Sequence, residues 1–294
     1  MRAHQLCNMA RSILGDRYDF SLTGMPGPDI PGLQRAWVAA QPRGAIYFVT
    51  KAATRGLAVD NARRLQARAG GVCFDHVDSD PNKIARTGAD IHLCASYAQF
   101  DALTRLAAAD PTLTGTPMLL LHTCDERLFG FAPVDLPELR VVYFGNPVNA
   151  HTPEHVGARL DVVDASSVDR MARTIDRLHD YNLHYCVRPP QSQGANLQKP
   201  FTKGFTAAAV GANVIVNRQT DDAIAFLGDD YPYLTDGLDT GEILATLDKA
   251  TRDFGGADWQ RARAVMDSVA ARVSPLAICG QIEAIINELG ASRR

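Results

Sequence analysis

Between Lys199 and Arg218 the chain reads KPFTKGFTAAAVGANVIVNR, and two lysines and two threonines gather there at a helix entry. Lys199 and Lys203 supply ammonium groups, Thr202 and Thr206 supply hydroxyls, and Pro200 suits a first helical turn, where a missing N–H costs nothing. Either hydroxyl can serve the free backbone donors of that turn. A helix N-terminus flanked by cations attracts anions, and a phosphate or diphosphate is its natural guest. The plainer alternative is two solvated lysines on an ordinary helix. Arg188 stands at the other end of the same loop, directly after the apolar run HYCV and before the irregular PPQSQGAN. Arg188, Lys199 and Lys203 are therefore expected to converge on one diphosphate, the guanidinium by bidentate contacts and the ammonium groups by charge. A surface ion pair is the alternative for Arg188.

A second set of groups precedes it. FDHVDSD, Phe74 to Asp80, places His76 and Asp78 beside Asp75 and Asp80 at the end of an expected strand. Acid and imidazole together can act as a base, recognise hydroxyls or hold a metal. They also fit a polar loop in which Asp78, Ser79 or Asp80 caps a helix. His122, in HTCDER, ends another apolar run. Asp221 and Asp222 have a sufficient role in a first helical turn, and Tyr231 and Tyr233 suit packing. The sequence contains no G-x-S-x-G elbow, phosphate loop of the form GxxxxGK[ST], H-E-x-x-H helix or GxGxxG fingerprint.

The elements that must position these groups follow from periodicity. Apolar runs read as strands at Asp19 to Thr23, Ala45 to Val49, Gly71 to Asp75, Ile91 to Ala95, Met118 to His122, Val141 to Phe144, Arg159 to Val163, His184 to Val187 and Asn213 to Val216. Most are continuous rather than alternating, as strands covered on both faces are. Helices are expected at Leu57 to Ala69, Tyr97 to Ala108, Ser167 to Tyr181, Lys199 to Val210 and Asp221 to Leu227. The alternation predicts parallel sheets with crossover helices. Beyond Asn217 no further strand is expected, and Thr240 to Phe254, Trp259 to Val273 and Pro275 to Leu289 read as helices. Met1 to Gly15 reads as an opening helix with Leu6, Met9, Ala10, Ile13 and Leu14 on its apolar face. Gly, Asn and Pro cluster in Gly145 to Pro153, which predicts a boundary between an N-terminal domain, 1–148, and a C-terminal domain, 149–294, with a ligand cleft between them.

Composition narrows the class. The chain has 294 residues, 46% hydrophobic and 21% charged, as soluble globular proteins do, and its net charge of −3 gives no basic field for nucleic acid. Its six cysteines are scattered without metal or redox spacing, which predicts reduced thiols and a cytoplasmic setting. No run reaches membrane-spanning length, and the opening residues are not expected to be a leader.

The loop with Arg188, the KPxTK entry at Lys199 to Lys203 and the AAAVGANVIV run at Ala207 to Val216 resemble the C-terminal domain of a GT-B glycosyltransferase of the retaining kind. The motif covers the region Arg188 to Asp222, and the order of elements covers nearly the whole chain. The resemblance implies an α/β fold of two Rossmann-like domains with a helical C-terminal tail, the first shaping the acceptor site and the second holding a nucleotide-diphosphate sugar. It implies sugar transfer to a glycan or other hydroxyl acceptor, in cell-surface polysaccharide or glycoconjugate synthesis, with no cofactor and no metal. Arg188, Lys199, Thr202, Lys203 and Thr206 then bind the donor diphosphate, and His76, Asp78 or His122 orients or deprotonates the acceptor. The chain departs from the family where retaining members carry two glutamates separated by seven residues, because Gln198 and Thr206 occupy those positions. That departure favours, as an alternative, a non-catalytic nucleotide- or glycan-binding protein. A nucleotide-sugar epimerase is a further one, and an NAD-dependent dehydrogenase is weakened by the missing glycine fingerprint.

Overall fold

The computed structural model describes residues 2–133, 135–189, 197–220 and 222–292. They form two compact units, the first from the described residues of Met1–His122, Gln193–Pro200 and Pro275–Arg294, the second from those of Thr123–Ser192 and Phe201–Ser274.

In the first unit α1 (Arg2–Leu14) buries Leu6, Met9, Ala10 and Leu14 and packs on α12 (Pro275–Ala291). Then come α2 (Pro31–Ala40), β1 (Ile46–Thr50), α3 (Ala52–Gly56), α4 (Val59–Gln66), β2 (Gly71–Asp75), β3 (Ile91–Cys94), α5 (Tyr97–Ala109) and β4 (Thr116–Leu119). The strands are parallel and lie in the order β1-β2-β3-β4. Every residue of β2 and β3 is buried, as their unbroken apolar runs predict. α12 crosses the start of β2 so closely that a Cβ on Gly71 would run into Leu289, and its Gln281 side chain accepts the Leu121 amide at 2.8 Å.

The second unit contains β5 (Val141–Gly145), α6 (Glu154–Gly157), β6 (Asp161–Asp164), α7 (Val168–Thr174), β7 (Leu183–Tyr185), α8 (Thr202–Ala209), β8 (Asn213–Asn217), α9 (Ala223–Leu227), β9 (Leu234–Thr235), α10 (Thr240–Asp253) and α11 (Ala257–Arg272). Its strands are again parallel but ordered β6-β5-β7-β8-β9. The chain thus steps from β5 to one side and then returns to the other. In open α/β sheets a ligand crevice forms at such a reversal, outside the carboxyl ends of the strands.

Several expectations need correction. Asp19 to Thr23 is not a strand: most of it is exposed, so it has no apolar face to bury against a sheet. The helix predicted from Ser167 to Tyr181 changes after Thr174 into a tighter 3-10 turn over Ile175–Asp180. The second unit takes in residues 123–148, because β5 pairs with β6 and β7. Gly145 to Pro153 is therefore an internal turn of that unit, and α12 belongs to the first. The helices α2 and α3 and the two-residue β9 are further elements that periodicity did not expose.

Candidate functional site

A cavity of about 170 Å³ opens at the β5/β7 reversal. Phe144 and Gly145 from the end of β5, His184, Tyr185 and Cys186 from β7 and its exit, and Thr202, Lys203 and Thr206 from α8 are among its walls. Three of the five residues expected to hold a diphosphate therefore face one cavity. The α8 N-terminus is fixed by aromatic packing: Phe201 and Phe205 meet edge to face at 6.0 Å, and Phe205 meets Phe226 at 4.9 Å. Gly204 permits this, since a Cβ there would fall inside the Phe201 ring. Small Ala207 and Ala208 are buried, and the helix ends at Gly211 with φ +73°.

Among the described residues no side chain caps the start of α8. The helix begins at Thr202 rather than Lys199, and the Thr206 hydroxyl donates to the Thr202 carbonyl at 3.0 Å instead of serving the free amides. Those amides keep the partial positive charge of a helix N-terminus. Lys203 points its Nζ at the Phe144 carbonyl, 2.8 Å away, and lies 4.1 Å from the Tyr143 ring centroid. Among the described residues no carboxylate pairs with it. Burial lowers its pKa, Cys186 works in the opposite sense, and Arg188 lowers it further. The ammonium is thus held in a site short of negative charge. Gly145 makes room for it, because a Cβ there would collide with the ammonium.

Arg188 follows β7 and is half-buried, its backbone N–H donating to Asn217 Oδ1 at 3.1 Å. Its positive charge acts on Lys203, Cys186 and Tyr143 alike, which places it beside the same site. Lys199 is half-buried and belongs to the first unit. Most of the loop joining these two residues, 190–196, and Asp221 lie outside the described residues.

The acceptor-side candidates have a different character. His76 is 2% exposed, stacks on His92 and exchanges a 2.8 Å hydrogen bond with its Nδ1, while His92 Nε2 meets the Thr114 carbonyl at 2.8 Å. Burial, then His92, then Arg55 push the His76 pKa down to about 3. His76 is therefore a core hydrogen-bonding residue, and the expectation that it serves an acceptor is corrected by its lack of access. Asp78 is half-buried in a left-handed conformation, φ +56°, with its carboxylate 2.9 Å from Lys51 Nζ. His122 is half-buried, and its backbone N–H donates to the Ala95 carbonyl. Among the described residues no group of three or more His, Cys, Asp or Glu side chains is placed to hold a metal ion. Asp75 and Asp80 have structural duties, the first bonded to buried Arg2 at 2.5 Å and the second capping a 3-10 turn.

Sequence reasoning passed over His184, Cys186, Tyr143 and Gly145 as parts of this site. No local pattern marks them: β7 is only Leu183–Tyr185, and Cys186 and Arg188 follow it.

No protein-family model matches the chain, and no curated protein matches its sequence. Solved structures do match its fold. A chain of the GtfA/B complex aligns at TM-score 0.58 and 11% identity over 88% of this chain, which spans 60% of that chain's length. The UDP-forming α,α-trehalose-phosphate synthase of Burkholderia vietnamiensis aligns at 0.57 and 9% identity, over 88% of this chain and 76% of that one. Anabaena HepE in complex with UDP-glucose aligns at 0.52 and 13% identity, over 82% and 78%. Two parallel α/β units with a helical C-terminal tail give this chain the fold of the GT-B glycosyltransferases.

Proposed function

We propose that the protein is a glycosyltransferase that takes a sugar from a nucleotide-diphosphate donor and passes it to a hydroxyl acceptor. One observation carries this reading: the cavity at the β5/β7 reversal is lined by Lys203, Thr202 and Thr206 beneath an uncapped helix N-terminus. Backbone amides, hydroxyls and an ammonium without a carboxylate form the donor set that a diphosphate satisfies. HepE, which shares the fold, has been seen with UDP and with UDP-glucose, so a uridine diphosphate sugar is the first donor to test.

In this mechanism Lys203, the α8 amides and Arg188 neutralise the charge that grows on the leaving diphosphate as the glycosidic bond breaks. The role needs no metal. Asp78 or His122 orients the acceptor hydroxyl, a task His76 cannot reach. We place this transfer in cell-surface polysaccharide or glycoconjugate synthesis; among the described residues no single helix is long and apolar enough to cross a membrane.

The test is calorimetric titration of UDP, GDP, ADP and their sugars into the native protein and Lys203→Ala. Selective binding to the native chain, weakened at least about tenfold in the variant with its circular dichroism unchanged, is expected. Absence of binding by folded native protein overturns the proposal. Gln198 and Thr206, standing where retaining enzymes carry glutamates, favour one second reading, a binding protein without turnover. Donor binding with no transfer to any of a broad set of acceptors would support it.

A further inference from the structure

The cavity in the second unit has one buried polar atom that the fold leaves unsatisfied. His184 sits within β7, its position paired with Val142 of β5 on one side and Val214 of β8 on the other. It is 3% exposed and lines the cavity beside Lys203, Thr202 and Thr206, yet among the described residues its Nε2 has no hydrogen-bond partner. Buried polar atoms are nearly always paired, and one left alone in a core is costly. His76 makes the contrast plain, since its Nε2 is fully engaged with His92.

The chemistry of that nitrogen is constrained. Burial first, and the Lys203 charge second, push the His184 pKa down to about 3, so the ring is neutral and holds one proton. A neutral imidazole can donate from Nε2 without adding a second charge beside Lys203. Residues with three kinds of donor, from two elements, then border one small space: His184 of β7, and Lys203 and Thr202 at the start of α8. A phosphoryl group, with several acceptor oxygens and a negative charge, can meet all of them together.

We propose that His184 Nε2–H donates to a phosphoryl oxygen of the ligand bound at Lys203 and the α8 N-terminus, making His184 a binding residue of the pocket. The inference rests on the diphosphate reading above and adds to it a neutral donor contributed by the sheet itself.

His184→Phe keeps a ring and removes both nitrogens, whereas His184→Gln restores an amide N–H near the position of Nε2. The ligand-free Phe variant is expected to melt at or above the native temperature, because an unsatisfied buried atom has been removed. Its affinity for UDP falls at least about tenfold, and the Gln variant recovers most of the loss. Should His184→Phe not fold, His184→Met supplies the donor-free comparison. Native UDP affinity in both the Phe (or Met) and Gln variants, with affinity lost in Lys203→Ala, overturns the His184 assignment and leaves the donor pocket standing. Inorganic pyrophosphate bound by the native protein and weakened in His184→Phe, without any nucleotide-sugar binding, keeps the assignment and removes the donor reading. Folded native protein that binds neither UDP nor pyrophosphate overturns both.

Discussion

The carboxyl ends of the two sheets carry similar residues and use them in opposite ways. At the end of β2 in the first unit, the buried Asp75 holds Arg2, the buried His76 holds His92 and Asp80 caps a turn, while Asp78 meets Lys51 only in an exposed ion pair. At the ends of β5 and β7 in the second, among the described residues, Lys203 has no carboxylate, His184 Nε2 has no partner and α8 has no side-chain cap. Topology accounts for the difference. The order β1-β2-β3-β4 advances in one direction, whereas β6-β5-β7 reverses, and a cavity opens at that reversal. Acids and histidines at a strand end are thus ambiguous in sequence, and whether they are spent on one another separates structural groups from those available to a ligand.

That contrast can be broken most forcefully at Asp75. Asp75→Ala strands the buried Arg2 guanidinium, which also donates to the Leu120 carbonyl at 2.6 Å, and is expected to cost about 3–5 kcal/mol in urea unfolding. UDP affinity in the second unit should be unchanged in the folded fraction; a parallel loss would mean that the two regions are not independent.

Acid should act next. A buried histidine whose pKa is depressed contributes stability that is complete above the unfolded value of about 6.5 and is lost as pH falls toward the folded value. With His76 held at about 3, roughly 2–3 kcal/mol should be gone by pH 4.5. His76→Gln, which keeps an amide donor toward His92 but does not titrate, should flatten that limb of the pH–stability curve. An unchanged slope would remove His76 as its source.

A smaller effect is expected at Gly145→Ala. The added methyl displaces Lys203 from the Phe144 carbonyl in a backbone with φ +146°, costing about 1–3 kcal/mol and weakening UDP binding together with stability. Native affinity in this variant would show that the Lys203 position seen here is not the binding one. Smallest of all is Lys51→Ala, which breaks an exposed ion pair with Asp78 and should shift stability by about 0.2–1 kcal/mol, within reach of a careful thermal melt. A larger cost would mean that the strained Asp78 backbone depends on it.

Much of this architecture was legible in the residues. β2 and β8 begin where their apolar runs do, at Gly71 and Asn213, because strands covered on both faces admit few polar side chains. α5 was legible from Tyr97 onward, and the structure adds the Ser96 hydroxyl, which caps it by accepting the Gln99 amide. The failures have particular causes. Phe20 and Leu22 imitate a strand, but strand propensity is expressed only where a neighbour covers it, and Leu22 is exposed. The Gly-Asn-Pro cluster after β5 looks like a linker, yet Gly145 serves a close approach and Asn146 caps a local turn. At the site, the cationic and hydroxyl half was readable from Thr202, Lys203 and Thr206. The neutral half was not, since whether His184 is satisfied depends on what β5, β8 and α8 bring beside it, and no local pattern encodes that.

The placement of α12 bears on how the chain is made. It completes the first unit, covering Gly71, binding the Leu121 amide and packing on α1, but it emerges from the ribosome after the whole of the second unit. During translation the first unit must wait for α12 before α1, Gly71 and the Leu121 amide gain their final cover. Assembly then runs against the order of the genetic message, and nascent chains arrested before Pro275 are the species in which chaperones would find exposed apolar surface.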